Sequence, residues 1–541
     1  MMNNIIKLKA MLRTIKYMIF AFSVTLFIQS CESKLDLQPE DNRLVADAAF
    51  EDPTSYKAFL AKIYAGISLS GQEGPAGNPD LAGLDEGFSS YLRLYWKMQE
   101  LTTDEAVIGW NDGTIRDLHS QNWTSGNEFI RTMYSRILFQ VALTNEFLRQ
   151  TTDAKLNDRG VDTALKTEIQ GFRAEARFMR ALSYWHAMDL FANPPFVTDE
   201  DPIGAFLPNQ IQRADLFSYI ETELLAIENV IAGAKQNEYG RADQAAVWML
   251  LAKIYLNAEV YTGTARNTEV ITYTNNIISA GYSIPNNPYY QLFLADNDSN
   301  GAQDEVIFSI PFDGLNTQSF GGMTFLVHAP VGGDMVPSDY GIGGGWFGVR
   351  ATSTFVEKFP NPENSADGRG LFFTTNQSLE IVDISNFNEG YALEKFRNVD
   401  VNGNPGSDPQ EHPDTDFPMF RLADTYLMYA EASLRGGGGS TAIATGYINE
   451  LRERAYGNTN GNISEGDLTL DFILAERSRE LYWEGHRRTD LVRNGQFSSQ
   501  GVWPWKGNVP QGITTESFRD VMPIPASDLG VNTNLQQNEG Y

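Results

Sequence analysis

The sequence predicts a mainly α protein: a tetratricopeptide-like scaffold of helix pairs, carrying long irregular loops and a few short strands. Three observations lead there. Several segments place apolar residues at helical spacing. Small residues sit among the aromatics of those segments, as in residues 248–255, which lets neighbouring helices approach. Two long irregular regions separate the helical blocks. Of the 541 residues, 42% are hydrophobic and 20% charged, enough for a sizeable core and unlike a disordered or coiled-coil chain.

The first thirty residues hold Lys7, Lys9, Arg13 and Lys16 and no acid, and an apolar run covers residues 18–28. Roughly 11 residues are too few for a spanning helix, which needs about 20, and suit the apolar region of a signal peptide. The run ends Ile28-Gln29-Ser30-Cys31, so the single cysteine follows it behind a small residue. Residues 1–30 are expected to be a signal peptide and 31–50 a polar tether, leaving 51–541 as one domain. Without residues 1–30 the chain keeps 37 cations against 69 acids.

Phe178, Ala181, Leu182, Trp185 and Met188 share one face of a helix predicted over 163–191. Leu216, Tyr219, Ile220, Leu224 and Ile227 mark the next, and Ala245, Trp248, Ala252 and Tyr255 a third. Later helices are predicted over 421–434, 441–455 and 468–484, with residues 436–439 as a glycine loop between two of them. The irregular regions run over about 70–125 and 282–417, the second rich in Gly, Pro and Asn. Loops of this length are usually functional. A strand-like piece, 305–310, lies in the second.

A charge of −28 argues against a nucleic-acid partner, because phosphates would be repelled. One cysteine excludes an intrachain disulfide and a four-thiolate zinc site. His119, His186, His328, His412 and His486 show no metal or triad spacing, and no phosphate loop or dinucleotide fingerprint is present. The charged segment 476–493 reads as one helix with Glu476, Glu480 and Glu484 four apart. Paired carboxylates hydrolyse glycosides when one is an acid and the other a base or nucleophile. Here arginines neighbour every acid, which favours an ion-pair network that locks helices.

Residues 296–301 copy the first half of an EF-hand loop, with Asp296 and Asp298 at alternate positions and Gly301 sixth. The twelfth position is Ile307, not a bidentate glutamate, so an EF-hand is rejected. Asp414 and Asp416 could supply further carboxylates to a calcium ion; a pair of solvated acidic turns is the plain alternative. For sugars, proteins stack aromatics on the ring faces and set planar polar groups at the edges. Trp110 lies in a polar loop beside Asn111, Trp346 follows Gly343 to Gly345, and Phe320 precedes two glycines. Packing within the loops is the alternative for each.

Phe172-Arg173-Ala174-Glu175-Ala176-Arg177 and the residues to Trp185 resemble a hallmark helix of the SusD/RagB family of outer-membrane nutrient-binding lipoproteins. Residues 420–432, 448–455 and 476–493 resemble others in the family's order. The end, Met522-Pro523-Ile524-Pro525 through 537–541, resembles the family's C-terminus. Residues 78–87, 100–105 and 320–324 are similar to the family's starch-binding member. The resemblance implies a SusD-like fold and no catalysis. It implies a lipobox whose Cys31 is lipidated, although Gln29 fits that pattern imperfectly, and a surface-exposed chain anchored in the outer membrane. It implies capture of starch or maltooligosaccharide for a SusC-like TonB-dependent transporter. Trp110, Phe320 and Trp346 would form an aromatic arc, with Phe320 in place of a tyrosine. Asp85 and Arg93 would meet hydroxyls, and Asn111 would replace a nearby amide in a loop one residue shorter. Calcium would sit at Asp296, Asp298, Asp414 and Asp416. An ordinary secretory signal, another glycan or a peptide as ligand, a secreted glycosidase, and a scaffold with protein partners only are the alternatives. The last requires Trp110 and Trp346 to be buried.

Overall fold

The computed structural model describes residues 2, 5–9, 11–16, 49–75, 79–85, 87–204 and 206–541. Cys31, most of the expected signal peptide and tether, and Asn78 and Glu86 of the 78–87 motif lie outside them. Among the described residues no helix is long and apolar enough to cross a membrane. The chain separates into two units, Met1–Tyr56 and Lys57–Tyr541. Of the first, residues 11–16 are helical and exposed.

Helices dominate. In chain order the ones used below are α1 (Tyr91–Trp96), α2 (Glu128–Gln150), α3 (Thr163–Phe191), α4 (Arg213–Ile227), α5 (Gln244–Leu256) and α6 (Asn267–Ser279). They continue with α7 (Gly322–His328), α8 (Leu422–Leu434), α9 (Thr441–Tyr456), α10 (Leu470–Leu481) and α11 (Arg487–Arg493). Their starts are written in the sequence. Asn127, Asp162, Asp243, Ser440 and Thr469 each cap a helix by accepting from backbone N–H groups of its first turn. Each such cap is worth about 1 kcal/mol.

The helices pack as successive neighbours: α2 on α3, α3 on α4, α5 on α6, α6 on α8, α8 on α9. Ala181, Ala245, Ala246, Ala252 and Ala430 are fully buried, so backbones approach closely at those points, as the tetratricopeptide-like reading requires. One short antiparallel strand pair joins the two irregular regions to each other, and another ties the second region to this scaffold. β1 (Val107–Ile108) pairs with β3 (Val349–Arg350), and β2 (Val306–Ile310) pairs with β4 (Phe417–Arg421).

Four readings need correction. The helix expected from residue 421 starts at Leu422, because Arg421 is extended (φ −144°, ψ 160°) and closes β4. The single charged helix over 476–493 is two helices. α10 stops at Leu481, Trp483 and Gly485 take positive φ (64° and 82°), and α11 starts at Arg487. The region over 70–125 is not uniformly irregular. It contains α1 and a following π-type turn, Lys97–Leu101, whose residues are all buried. The region over 282–417 likewise contains α7.

The segment that breaks between α10 and α11 still builds one ion-pair network. Arg421 donates to Glu305 and Glu480 at 2.7 Å each and to Glu484 at 2.6 Å. Arg369 reaches Glu476 at 2.9 Å and Glu480 at 3.1 Å, and Lys395 reaches Glu484 at 2.7 Å. Arg454 pairs with Glu305 and Glu480. The three glutamates have no exposed side-chain surface. Burial pushes Glu476 up, but Arg369, Arg479 and Arg452 outweigh it and hold it down at about 2. A carboxyl held ionised has no proton to give a leaving group.

Candidate functional site

The site is assembled from both irregular regions. α1 is capped by Ser90 and packs against α2 and α7. That places Arg93, two residues in, between Gly87 and the 320 loop. Nη1 of Arg93 donates to the carbonyls of Gly87 at 2.7 Å and Phe320 at 2.8 Å. Its guanidinium lies 4.6 Å over the ring of Phe325, 5.9 Å from Trp110 and 5.8 Å from Trp346. Cation–π contacts of this kind are worth about 0.5–2 kcal/mol each. Burial lowers Arg93 to about 10, against the pull of Asp85 and Asp112, so it stays charged at neutral pH. It is 8% exposed, so most of its surface is spent inside the protein, joining two loops to three rings.

The strand pair β1–β3 brings the tryptophans together. Val107 is opposite Arg350 and Ile108 opposite Val349, and the Gly109 N–H donates to the Gly348 carbonyl at 2.8 Å. Trp110 and Trp346 therefore leave adjacent chains at one edge. Nε1 of Trp110 donates to the Trp346 carbonyl at 2.9 Å, and the two rings sit 6.2 Å apart at 47°. Both are half-buried. Arg116 fixes the loop from behind, donating to the carbonyls of Trp110 and Gly109. The Trp110 ring lies over Gly348, where a Cβ would come within 2.5 Å of it. Trp346 stacks on His328 at 4.9 Å and 28°. The His328 nitrogens lie 2.7 Å from the Gly344 carbonyl and 2.8 Å from that of Glu411, and burial lowers its pKa.

Phe320 is half-buried, and its ring lies 5.9 Å from that of His412. Asp85 is exposed and accepts from the Phe88 N–H at 3.2 Å. Asn111 is exposed beside Trp110. The structure thus brings Asp85, Arg93, Trp110, Phe320 and Trp346 to one neighbourhood, with Asn111 on its rim. Sequence reasoning missed Phe325 and His328, which brace Arg93 and Trp346. Their signal was a spacing of three within 320–328, one helical face. Phe347 was missed as well.

Asp298 and Asp414 lie near Asp416, and the carboxylates are engaged within the protein. Asp296 accepts from Asn300 at 3.1 Å and from the Val401 N–H at 3.2 Å. Asp414 accepts from the Gly314 N–H at 2.7 Å and from Ser407. Asp416 accepts from the Phe312 N–H at 2.7 Å, and burial, reinforced by Asp298 and Asp414, raises it to about 7. Among the described residues no three acidic, histidine or cysteine side chains converge closely enough to hold a metal ion. Calcium needs six to eight oxygens, so as arranged these side chains do not form its cage.

The chain is 34% identical to the starch-binding protein SusD of Bacteroides thetaiotaomicron, over 95% of this chain and 96% of that one. It is 27% identical to the SusD-like protein P25 of Formosa agariphila, over 70% of this chain and 75% of that one. The SusD family model matches residues 369–541. The protein belongs to the SusD family. Among solved structures, a SusD superfamily protein from Bacteroides vulgatus has a TM-score of 0.70 at 20% identity, covering 91% of this chain and 99% of that one. The surface glycan-binding protein A of B. thetaiotaomicron, in complex with laminarihexaose, has a TM-score of 0.67 at 19% identity, covering 90% and 99%.

Proposed function

We propose that the protein binds starch-type α-glucan oligosaccharides at the cell surface without cleaving them. It would then deliver them to a SusC-like TonB-dependent transporter, with the chain held to the outer membrane through a lipid on Cys31. The observation that carries the reading is the pair of half-buried tryptophans locked at 47° by the Trp110–Trp346 hydrogen bond. Two platforms inclined to one another suit successive rings of a curved chain better than those of a flat ribbon. Because neither ring is fully buried, loop packing alone leaves their free faces unexplained. Asp85 and Asn111 supply polar groups at the rim, and Arg93 sets the distance between the loops. The named relative, a starch-binding protein aligned over nearly the whole chain, supports the choice of glucan.

Titration calorimetry with maltoheptaose tests it. Wild-type protein should bind, and Trp110→Ala with Trp346→Ala should abolish binding while the melting curve stays cooperative. Unchanged affinity in that variant would refute the arc. Release of reducing sugar from starch would refute binding without cleavage. Calcium at Asp296, Asp298, Asp414 and Asp416 is a separable proposal, supported by the closeness of Asp298 and Asp414 to Asp416, and needs oxygens beyond these carboxylates. Elemental analysis of dialysed protein decides it.

A further inference from the structure

Phe347 sits next to Trp346 and breaks two rules at once. Its side chain is 54% exposed, and its φ is +54°. Sterics penalise that backbone conformation in any residue with a Cβ, most of all a bulky one, and glycine adopts it freely. The loop is rich in glycine on both sides, at Gly343, Gly344, Gly345 and Gly348. The conformation is imposed from outside. Trp346, Phe347 and Gly348 donate in turn to the carbonyls of His328 (2.9 Å), Val331 (3.1 Å) and Ala329 (2.8 Å).

The ring is also braced. Phe387 meets it edge-on at 5.6 Å and 67°. Gly332 lies under it, where a Cβ would come within 2.6 Å of the ring. Asn386 and Asn388 beside Phe387 are exposed, and the Asn388 side chain reaches Gly333. A braced aromatic ring half open to solvent is the same stacking element as the sugar grip at Trp110 and Trp346. The two neighbouring rings turn to different partners, Trp346 to Trp110 and His328, Phe347 to Phe387.

We propose that Phe347 is an additional stacking platform, taking a hexose unit of the same glycan beyond the tryptophan pair. The proposal rests on the glycan-binding reading. Its consequence is length dependence: only an oligosaccharide long enough to span both platforms uses Phe347.

The test is calorimetry with maltotriose and maltoheptaose on wild type, Phe347→Gly and Phe347→Leu. Glycine relieves the backbone conformation, so Phe347→Gly should melt no lower than wild type. Both variants should bind maltoheptaose about tenfold more weakly, the scale of one lost stacking contact. Maltotriose affinity should stay within about twofold. Wild-type maltoheptaose affinity in Phe347→Gly would overturn the proposal, even if the variant weakened capture by a protein partner. Equal loss for both sugars would overturn it too, making the ring a support of the arc. If wild-type protein binds neither sugar, the glycan reading itself falls. If wild type binds and Phe347→Gly is unchanged, only this proposal falls.

Discussion

Arg93 is the hinge pin of the site at the scale of single residues. One guanidinium nitrogen holds the carbonyls of Gly87 and Phe320, and the group's flat face covers Phe325. Hydrogen bonds to a charged donor contribute about 1.5–3 kcal/mol each, so this side chain welds two long loops that have little regular structure of their own. The same logic makes Gly348 a working residue. The Trp110 ring occupies the space a Cβ would need, with its Cε2 and Cζ2 atoms 2.5 Å away. Gly348→Ala must therefore tilt Trp110 off its bond to the Trp346 carbonyl. Overpacking of this kind costs about 1–3 kcal/mol. Maltoheptaose affinity should fall by about tenfold or more, read by calorimetry, while denaturation shifts only by that modest amount. An unshifted affinity would mean the tryptophan geometry does not matter for binding.

Legibility in the sequence was uneven across elements, for physical reasons. The long helix α3 was predicted to its ends, because one apolar face repeats along it. α1 was not, because every residue of it is buried and a helix buried all round shows no period. The break after Leu481 was hidden by the spacing of Glu476, Glu480 and Glu484, which runs on through it as if the helix continued; Gly485 was the available warning. Arg421 explains why the spacing survives. Standing at the end of β4, it gathers Glu480 from the helix and Glu484 from beyond the break, so the network selects the spacing and the helix does not. At the site, the tryptophans were readable from glycine-flanked loops, whereas the positive φ of Phe347 has no sequence signature. The network also makes a prediction. Removing one partner of a buried ion cluster strands the others and costs about 3–5 kcal/mol. Arg421→Met should lower unfolding free energy by that amount in urea, leaving three carboxylates short of a cation. A loss below about 1 kcal/mol would show that solvent reaches the cluster.

Across the whole molecule, the buried histidines set a response to acid. His186 lies within α3, its Nδ1 2.8 Å from the Tyr91 hydroxyl and its ring stacked 4.1 Å from Tyr95. Burial drives it down to about 3, with Lys253 adding to the effect and Asp189 opposing it. His119, buried near Arg116 and Arg350, is lowered to about 3 in the same way. In the unfolded chain both take up a proton near pH 6.5. Between about pH 6.5 and 3 the unfolded state therefore holds more protons at these sites, and stability falls as pH falls through that window. The slope is about 1.4 kcal/mol per pH unit for each histidine. Asp416 works against them. Its folded value near 7 means the folded state binds the extra proton, which returns some stability as pH drops towards its unfolded value. Wild-type protein alone would blur the two, so the measurement is a difference. His119→Gln with His186→Gln will cost stability at pH 7, because both sites are packed. Relative to wild type, that deficit should shrink by roughly 3 kcal/mol for each pH unit below about 6, twice the single-site slope. Urea denaturation at pH 7, 6 and 5 gives the numbers, and a deficit that stays constant across them would mean these histidines titrate in the folded protein as they do in water.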